Sequence, residues 1–231
     1  MFRGLIEELY EKYGKTVVVL IDEYDKPILD HITDIETAEA NRAVLKGFYG
    51  ILKSVDPYLR MTFITGVTKF TKTSIFSELN NLYDITMDPE YADICGITPD
   101  DLGHYFSEHI DGLMSLEQYK QNLSVQDQIL NWYDGYSWDG ETRVINPFSL
   151  LSFLKRKTFN CFWFSSGTPK FLMSLIKNRP MGYIGLDDIK MSELAMDAFD
   201  IDCIEVEALL FQTGYLTVKR LLPTTGSPIY Q

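Results

Sequence analysis

Cysteine is scarce. The 231 residues hold three, Cys95, Cys161 and Cys203, an odd number at wide spacing with no Cys-x-x-Cys. That excludes a disulfide framework and a zinc knuckle, and leaves buried free thiols in a reducing compartment as the expectation. Histidine is as rare, at His31, His104 and His109. Two ligands on one helical face need a spacing of three or four, which His104 and His109 overshoot, so no histidine metal pair is expected. Basic charge is in deficit, with 21 Lys and Arg against 33 Asp and Glu and a net charge of −12. Such a chain lacks the broad cationic footprint that phosphate backbones demand, so no direct nucleic-acid binding is expected. Long hydrophobic runs are missing too. The longest, Val17–Ile21, is far short of a bilayer span, and no charged-then-apolar leader opens the chain. The expectation is a cytoplasmic chain with no membrane partner.

What is present is the composition of a globular protein: 45% hydrophobic residues, with 14 Phe, 14 Tyr and 3 Trp to fill a core. Residues 3–13 place Leu5, Ile6, Leu9 and Tyr13 at helical spacing, and Gly14 follows as a C-cap. Next comes TVVVLIDEYD, a short, β-branched aliphatic run bounded by acids. It predicts a strand buried on both faces, as in a parallel sheet. Helical period returns over 36–55, and MTFITGV at 61–67 predicts a second strand, so that 16–67 reads as a right-handed βαβ unit. The two strands are expected to be adjacent and parallel. Asp84–Met87 predicts a third, shorter strand.

Beyond about residue 95 the character changes. Pro in the first turn after a cap, at Thr98-Pro99, Asn146-Pro147 and Thr168-Pro169, predicts helices over 99–109, 115–133, 147–156 and 169–177. The end of the chain predicts a helix closed by Gly214, a strand over Tyr215–Leu221, and a turn at Thr224-Thr225-Gly226 into a second strand. Helices followed by a hairpin read as a winged-helix-like element. The chain therefore divides into an α/β unit over 1–94 and a mainly helical one over 95–231.

The sharpest chemical signal is Val17-Val18-Val19-Leu20-Ile21-Asp22-Glu23. A buried parallel strand ending in Asp-Glu delivers two carboxylates to the carboxyl edge of a sheet, where α/β ligands bind. In a P-loop NTPase this is the Walker B segment, with the Asp on Mg²⁺ and the Glu polarising the attacking water. The same acids would also serve as helix caps, for Asp22, Glu23 or Asp25 could each cap a helix opening at Pro27. A phosphate cradle is harder to find. Gly14-Lys15-Thr16 leaves a helix and enters a strand, the reverse of a P-loop, and is read as a cap. Gly66–Thr73 follows a strand and matches G-x-x-x-x-G-K-T except at Thr71, where a β-branched residue replaces the glycine. A polar strand-end loop rich in Thr and Lys accounts for it more simply. Trp132, Tyr133, Tyr136 and Trp138 around Asp134-Gly135 read as a packed corner in preference to a base-stacking platform. Lys155-Arg156-Lys157 complements a helix C-terminus. Asp187-Asp188 and Asp197–Asp202 lack the ligand spacing of a calcium loop.

VVVLIDEYDKPI, FITGVTKFTKTSIFSELNNLYDITMDPEYADICGIT, WYDGYSW, INPFSLLSFL, FWFSSGTPKFL and LLFQTGYLTV occur in this order along nearly the whole chain. Together they resemble the bacterial AAA-ATPase-like family, whose members commonly carry a C-terminal PD-(D/E)xK nuclease-like domain. The resemblance implies a partial P-loop NTPase-type parallel sheet followed by a helical lid and a winged-helix-like region. It implies that Asp22 holds Mg²⁺ and Glu23 acts on water. It places a sensor-1 polar residue at Thr65, Thr68 or Lys69, and likens Gly167-Thr168-Pro169 to a lid element. Family members carry a Walker A segment upstream of the Asp-Glu strand. Only sixteen residues stand before that strand here, so the chain is expected to be an internal piece of a longer protein.

The expected function is thus a nucleotide-binding module acting as an ATP-dependent switch, with ATP and Mg²⁺ as ligands once the upstream segment is present. The isolated chain is expected not to hydrolyse ATP. A protein partner or a second copy would engage the strand edge left open at Met61–Thr65. The alternative is a non-catalytic interaction module whose Asp-Glu pair only caps a helix.

Overall fold

The computed structural model describes residues 1–68, 75–76, 79, 81–120, 123–164, 189–197, 206–223 and 228–231. It is mixed α/β and falls into two compact units. The first comprises Met1–Tyr83 and Met191–Leu216 in their described parts, and the second is built mainly of Asp84–Pro169 and Thr217–Gln231.

In the first unit, helix α1 (Phe2–Tyr13) ends at Gly14, whose left-handed φ of 62° closes it with an N–H to the carbonyl of Tyr10. Strand β1 (Val17–Ile21) follows, then a short helix α2 (Lys26–Leu29) and the long α3 (Ile35–Ser54). Asp34 caps α3 by accepting from the Thr37 amide, the device expected where an acid precedes an apolar-periodic run. Strand β2 (Leu59–Ile64) lies beside β1 and parallel to it, with Val19 opposite Thr62 and Ile21 opposite Ile64. The core gathers Ile6, Val19, Ile28, Leu29, Leu52 and Leu209, the last from the helix Val206–Gln212.

Several expectations need correction here. Strand β1 is not buried on both faces. Val19 is 8% exposed, but Leu20 is 70% and Val18 46%, and on β2 their neighbours Phe63 and Met61 are exposed as well. Alternation along the strands sends these four to the face opposite the core. Asp84–Met87 is not a strand. The Asp84 carboxylate accepts the Thr86 amide, an Asx turn that diverts the backbone from a ladder.

The second unit opens with α4 (Pro99–Tyr105), fixed by a reciprocal Thr98–Asp101 capping box. A single helix over 99–109 is not formed, because the chain breaks at Phe106 and continues as α5 (Ser107–Met114). The region 115–133 likewise resolves into a 3₁₀ turn at Glu117–Tyr119 and α6 (Val125–Tyr133), capped by Ser124. Strands β3 (Asp134–Tyr136) and β4 (Val144–Ile145) pair antiparallel, and α7 (Pro147–Arg156) follows as expected, capped by Asn146. The aromatic corner is packed in part: Tyr133 is buried, while Trp132 is exposed on one side and stacks on Phe159 at 5.5 Å. Of the anticipated strand Tyr215–Leu221 only its end forms, where Leu221–Leu222 pairs antiparallel with Ile229–Tyr230. The Val218 amide and the Thr217 hydroxyl are instead held by Ser137. Cys95 and Cys161 are exposed, each between elements, contrary to the expectation of buried thiols. The helix expected at 169–177, Gly167-Thr168-Pro169 and Cys203 lie outside the described residues.

The β3–β4 connection is organised by Asp139, which accepts from the Ser137 hydroxyl, the Glu141 and Thr142 amides and the Thr142 hydroxyl at 2.7–3.1 Å. Burial works against its charge, but these donors together hold its carboxyl below the usual range. A depressed carboxylate contributes stability that is present above the unfolded value and lost as pH falls through the folded one. The stability difference between wild type and Asp139→Asn is therefore expected to be full at neutral pH and to shrink below about pH 4. Thermal melts across that range check it, and a constant difference would remove Asp139 as the cause.

Candidate functional site

The carboxyl end of β1 is where the acids gather. The parallel ladder runs one step past both strands: the Thr65 amide donates to the Ile21 carbonyl at 2.8 Å, and the Tyr24 amide donates to the Thr65 carbonyl at 3.0 Å. Asp22 and Glu23 are looped out between those two bonds. Glu23 adopts a φ of 50°, one of two non-glycine residues on the left-handed side among the described residues, which costs a residue with a Cβ about 1 kcal/mol or more. The turn returns Tyr24 to the core and leaves both carboxylates exposed. Asp22 Oδ1 accepts the Thr65 hydroxyl at 2.6 Å and the Glu23 amide at 3.0 Å.

Asp25 lies just beyond, and its whole side chain is buried. Its carboxylate faces the loop that leaves β2, accepting the Val67 amide at 3.1 Å and both the amide and hydroxyl of Thr68 at 2.6 Å. Burial pushes its carboxyl up, and the Thr68 and Val67 bonds oppose that shift. Tyr24 stands beside it, donating its hydroxyl to the Thr68 carbonyl at 3.0 Å and packing its ring on Phe76 at 4.8 Å. Gly66 runs against that ring. A Cβ there would sit 2.5 Å from Tyr24 Cε1 and 2.8 Å from Asp25 Oδ1.

The structure thus brings together Asp22 and Thr65 directly, sets Glu23 beside them, and places Thr68 on Asp25. Lys69 and the rest of the Gly66–Thr73 segment beyond Thr68 are outside the described residues. Asp25 stands at the N-cap of α2, yet its side chain makes no capping bond there. The Val67 and Thr68 amides, the first that a P-loop at 66–73 could turn on a phosphate, already donate to a carboxylate. Sequence reasoning weighed Asp25 only as a cap. A signal for more was available, because Asp25 shares a helical face with Ile28, Leu29 and Ile32, all buried. An acid on an apolar face must find partners.

For a divalent cation the residues offer hard oxygen donors. Asp22 keeps Oδ2 and the Thr65 hydroxyl keeps lone pairs, which suits an ion that retains most of its waters. Among the described residues no group of three or more His, Cys, Asp or Glu could hold a metal by itself.

Residues 1–76, which include this whole site, match the AAA-ATPase-like family, described as "Predicted AAA-ATPase". The match supports that family for the part of the chain that carries Asp22, Glu23 and Thr65. Over its full length the chain is 39% identical to a protein of Azotobacter chroococcum mcd 1 described as "Uncharacterized protein in vnfD 5'region". The aligned 230 residues cover 42% of that relative, so the chain spans less than half the length of the protein it matches. No solved structure matches the chain.

Proposed function

We propose that the chain is the nucleotide-binding part of an ATP-dependent switch in a longer protein. The single observation that supports this most is the Asp22–Thr65 pair at 2.6 Å on the carboxyl edge of two parallel strands, with Glu23 turned outward beside it. In this reading ATP and Mg²⁺ are the ligands. Asp22 binds the cation, Glu23 orients and deprotonates water, and Thr65 is the polar sensor, with Thr68 and Lys69 the other candidates. The bound cation supplies neutralisation of phosphate charge. The chain's own residues supply its anchor, a base and a hydroxyl held in register by the strand pair. In a P-loop enzyme most phosphate contacts come from the Walker A segment, and residues 1–231 contain no complete G-x-x-x-x-G-K-[ST], so in this reading they bind Mg-ATP weakly by themselves and do not turn it over. The segment from 95 onward acts as helical lid and winged-helix-like element, the latter ending in the Leu221–Leu222 hairpin. The setting is cytoplasmic. No helix among the described residues is long and apolar enough to cross a membrane.

A second reading, a non-catalytic module for a protein partner or a second copy, draws on the open apolar face formed by Val18, Leu20, Met61 and Phe63. One experiment separates the two. In the full-length parent protein, Glu23→Gln is expected to slow ATP hydrolysis at least tenfold (about 1.4 kcal/mol in barrier) while preserving nucleotide binding, since Gln keeps the shape but is a poor base. Asp22→Asn is expected to weaken the Mg²⁺ dependence instead. Near-wild-type turnover in both variants would sink the nucleotide reading and leave the interaction module.

A further inference from the structure

We propose that Asp25 is a positioning residue: its buried carboxylate clamps the Val67–Thr68 backbone and thereby holds the Thr65 hydroxyl on Asp22. This rests on the nucleotide reading above and assigns the parts of its sensor. Thr65 is restrained on one side by the ladder, through its amide to Ile21 and its carbonyl to Tyr24. On the other side the chain passes through Gly66, which has no side chain to hold it in place. Free rotation there would let the following loop swing and would drag the Thr65 carbonyl and hydroxyl off their partners. Three donors prevent it, the Val67 amide and the amide and hydroxyl of Thr68, all ending on Asp25. The Tyr24 ring, pressed against Gly66 with its hydroxyl on the Thr68 carbonyl, closes the clamp.

Packing alone would be served as well by an apolar residue at this position, since the face it shares with Ile28, Leu29 and Ile32 is buried. A carboxylate is costly to bury, and hydrogen bonds to the loop are what it offers in return. Tyr49 feels the same group: burial first, and then the nearby Asp25 charge, push its phenol up. The clamp also decides between two sensor candidates. Thr68 has its amide and hydroxyl on Asp25 and its carbonyl on Tyr24, so its polar atoms are committed to the clamp. Thr65 presents its hydroxyl at the exposed edge beside Asp22. Thr65 is the sensor and Thr68 its anchor.

The test uses the full-length parent protein and the Mg²⁺ concentration needed for half of the thermal stabilisation given by saturating ADP. Asp25→Asn places an amide nitrogen against donors, and Thr68→Val removes one hydroxyl at constant shape. Each is expected to raise that Mg²⁺ concentration about tenfold, the effect of one lost charge-assisted bond passed on to the Asp22–Thr65 geometry. The same variants are expected to bind ADP without Mg²⁺ as wild type does, which a general loss of structure would not allow. Thr68→Ser, which restores the hydroxyl, is expected to return the wild-type value. Asp22→Asn serves as the reference. If it abolishes the Mg²⁺ dependence while Asp25→Asn and Thr68→Val change it by less than about twofold, the clamp is overturned and the nucleotide reading stands. If Asp22→Asn leaves the dependence intact, or ADP fails to stabilise the wild type, both are overturned. Should Asp25→Asn not fold, the Thr68→Val and Thr68→Ser pair decides alone.

Discussion

Gly66→Ala is expected to destabilise the first unit by about 3 kcal/mol or more, at the upper end of overpacking costs. The cause is steric and not conformational, because Gly66 is not among the positive-φ glycines. A methyl group at this position would stand 2.5 and 2.6 Å from two carbons of the Tyr24 ring and 2.8 Å from Asp25 Oδ1. Real Cβ atoms do not approach so closely, so something must move. The ring cannot move easily: Tyr24 is buried, packs on Phe76 and Tyr49, and holds the Thr68 carbonyl through its hydroxyl. Asp25 is held by three donors of its own. The natural control is Gly47→Ala in the middle of α3, where a Cβ meets nothing within 4 Å. That change is expected to be neutral or to stabilise by about 0.5–1 kcal/mol through helix propensity. Urea unfolding followed by far-UV circular dichroism measures both. Equal, small effects from the two substitutions would mean that the Tyr24–Gly66 contact is slack, and the clamp at Asp25 would lose its joint.

Where periodicity is long and strong, the structure is written in the residues. The helical period over 36–55 sets α3, although Val44 and Phe48 of the apolar pattern are exposed while Ala38, Tyr49 and Leu52 are buried. The cap-plus-proline pairs at Thr98 and Asn146 mark their helix starts, whereas α6 starts at Val125, ten residues later than a helix over 115–133 would. Short runs are less legible. Asp84–Met87 looks like a strand by side-chain type, but a local side-chain-to-backbone bond takes the Thr86 amide that a ladder would use. Tyr215–Leu221 fails as a strand over most of its length for a different reason, since the Ser137 carbonyl takes the Val218 amide that a ladder would need. At the site, Asp22 and Glu23 could be picked out because a strand-final Asp-Glu is a local pattern. Asp25 could not be assigned its role that way. Its partners are 42 and 43 residues away in sequence, and only the parallel pairing of β1 with β2 brings them within 3.1 Å.

In the second unit the largest expected effect comes from Phe153→Ala, at about 3–5 kcal/mol. Phe153 on α7 has no exposed surface and sits among aromatic rings. It stacks on Phe159 at 4.2 Å with 17° between planes, and meets Tyr119 and Tyr133 edge-on or tilted near 6 Å. Truncation removes the transfer energy of the ring and leaves a cavity whose walls have limited freedom to collapse. Tyr119 is tied to the Lys157 carbonyl at 2.6 Å, and Tyr133 to the Asn160 carbonyl at 3.1 Å, so neither ring can swing inward without breaking a hydrogen bond. Phe159 lies just past the turn at Lys157, whose φ of 53° ends α7, and its position depends on that turn. Phe153→Leu, which keeps most of the volume, is expected to cost less than half as much as Phe153→Ala. Tryptophan fluorescence in a denaturant titration reads this directly, since Trp132, Trp138 and Trp163 all belong to this unit and Trp132 stacks on Phe159 itself. A loss below about 1 kcal/mol for Phe153→Ala would mean that the cluster repacks freely and that the two tyrosine hydrogen bonds do not hold its walls apart.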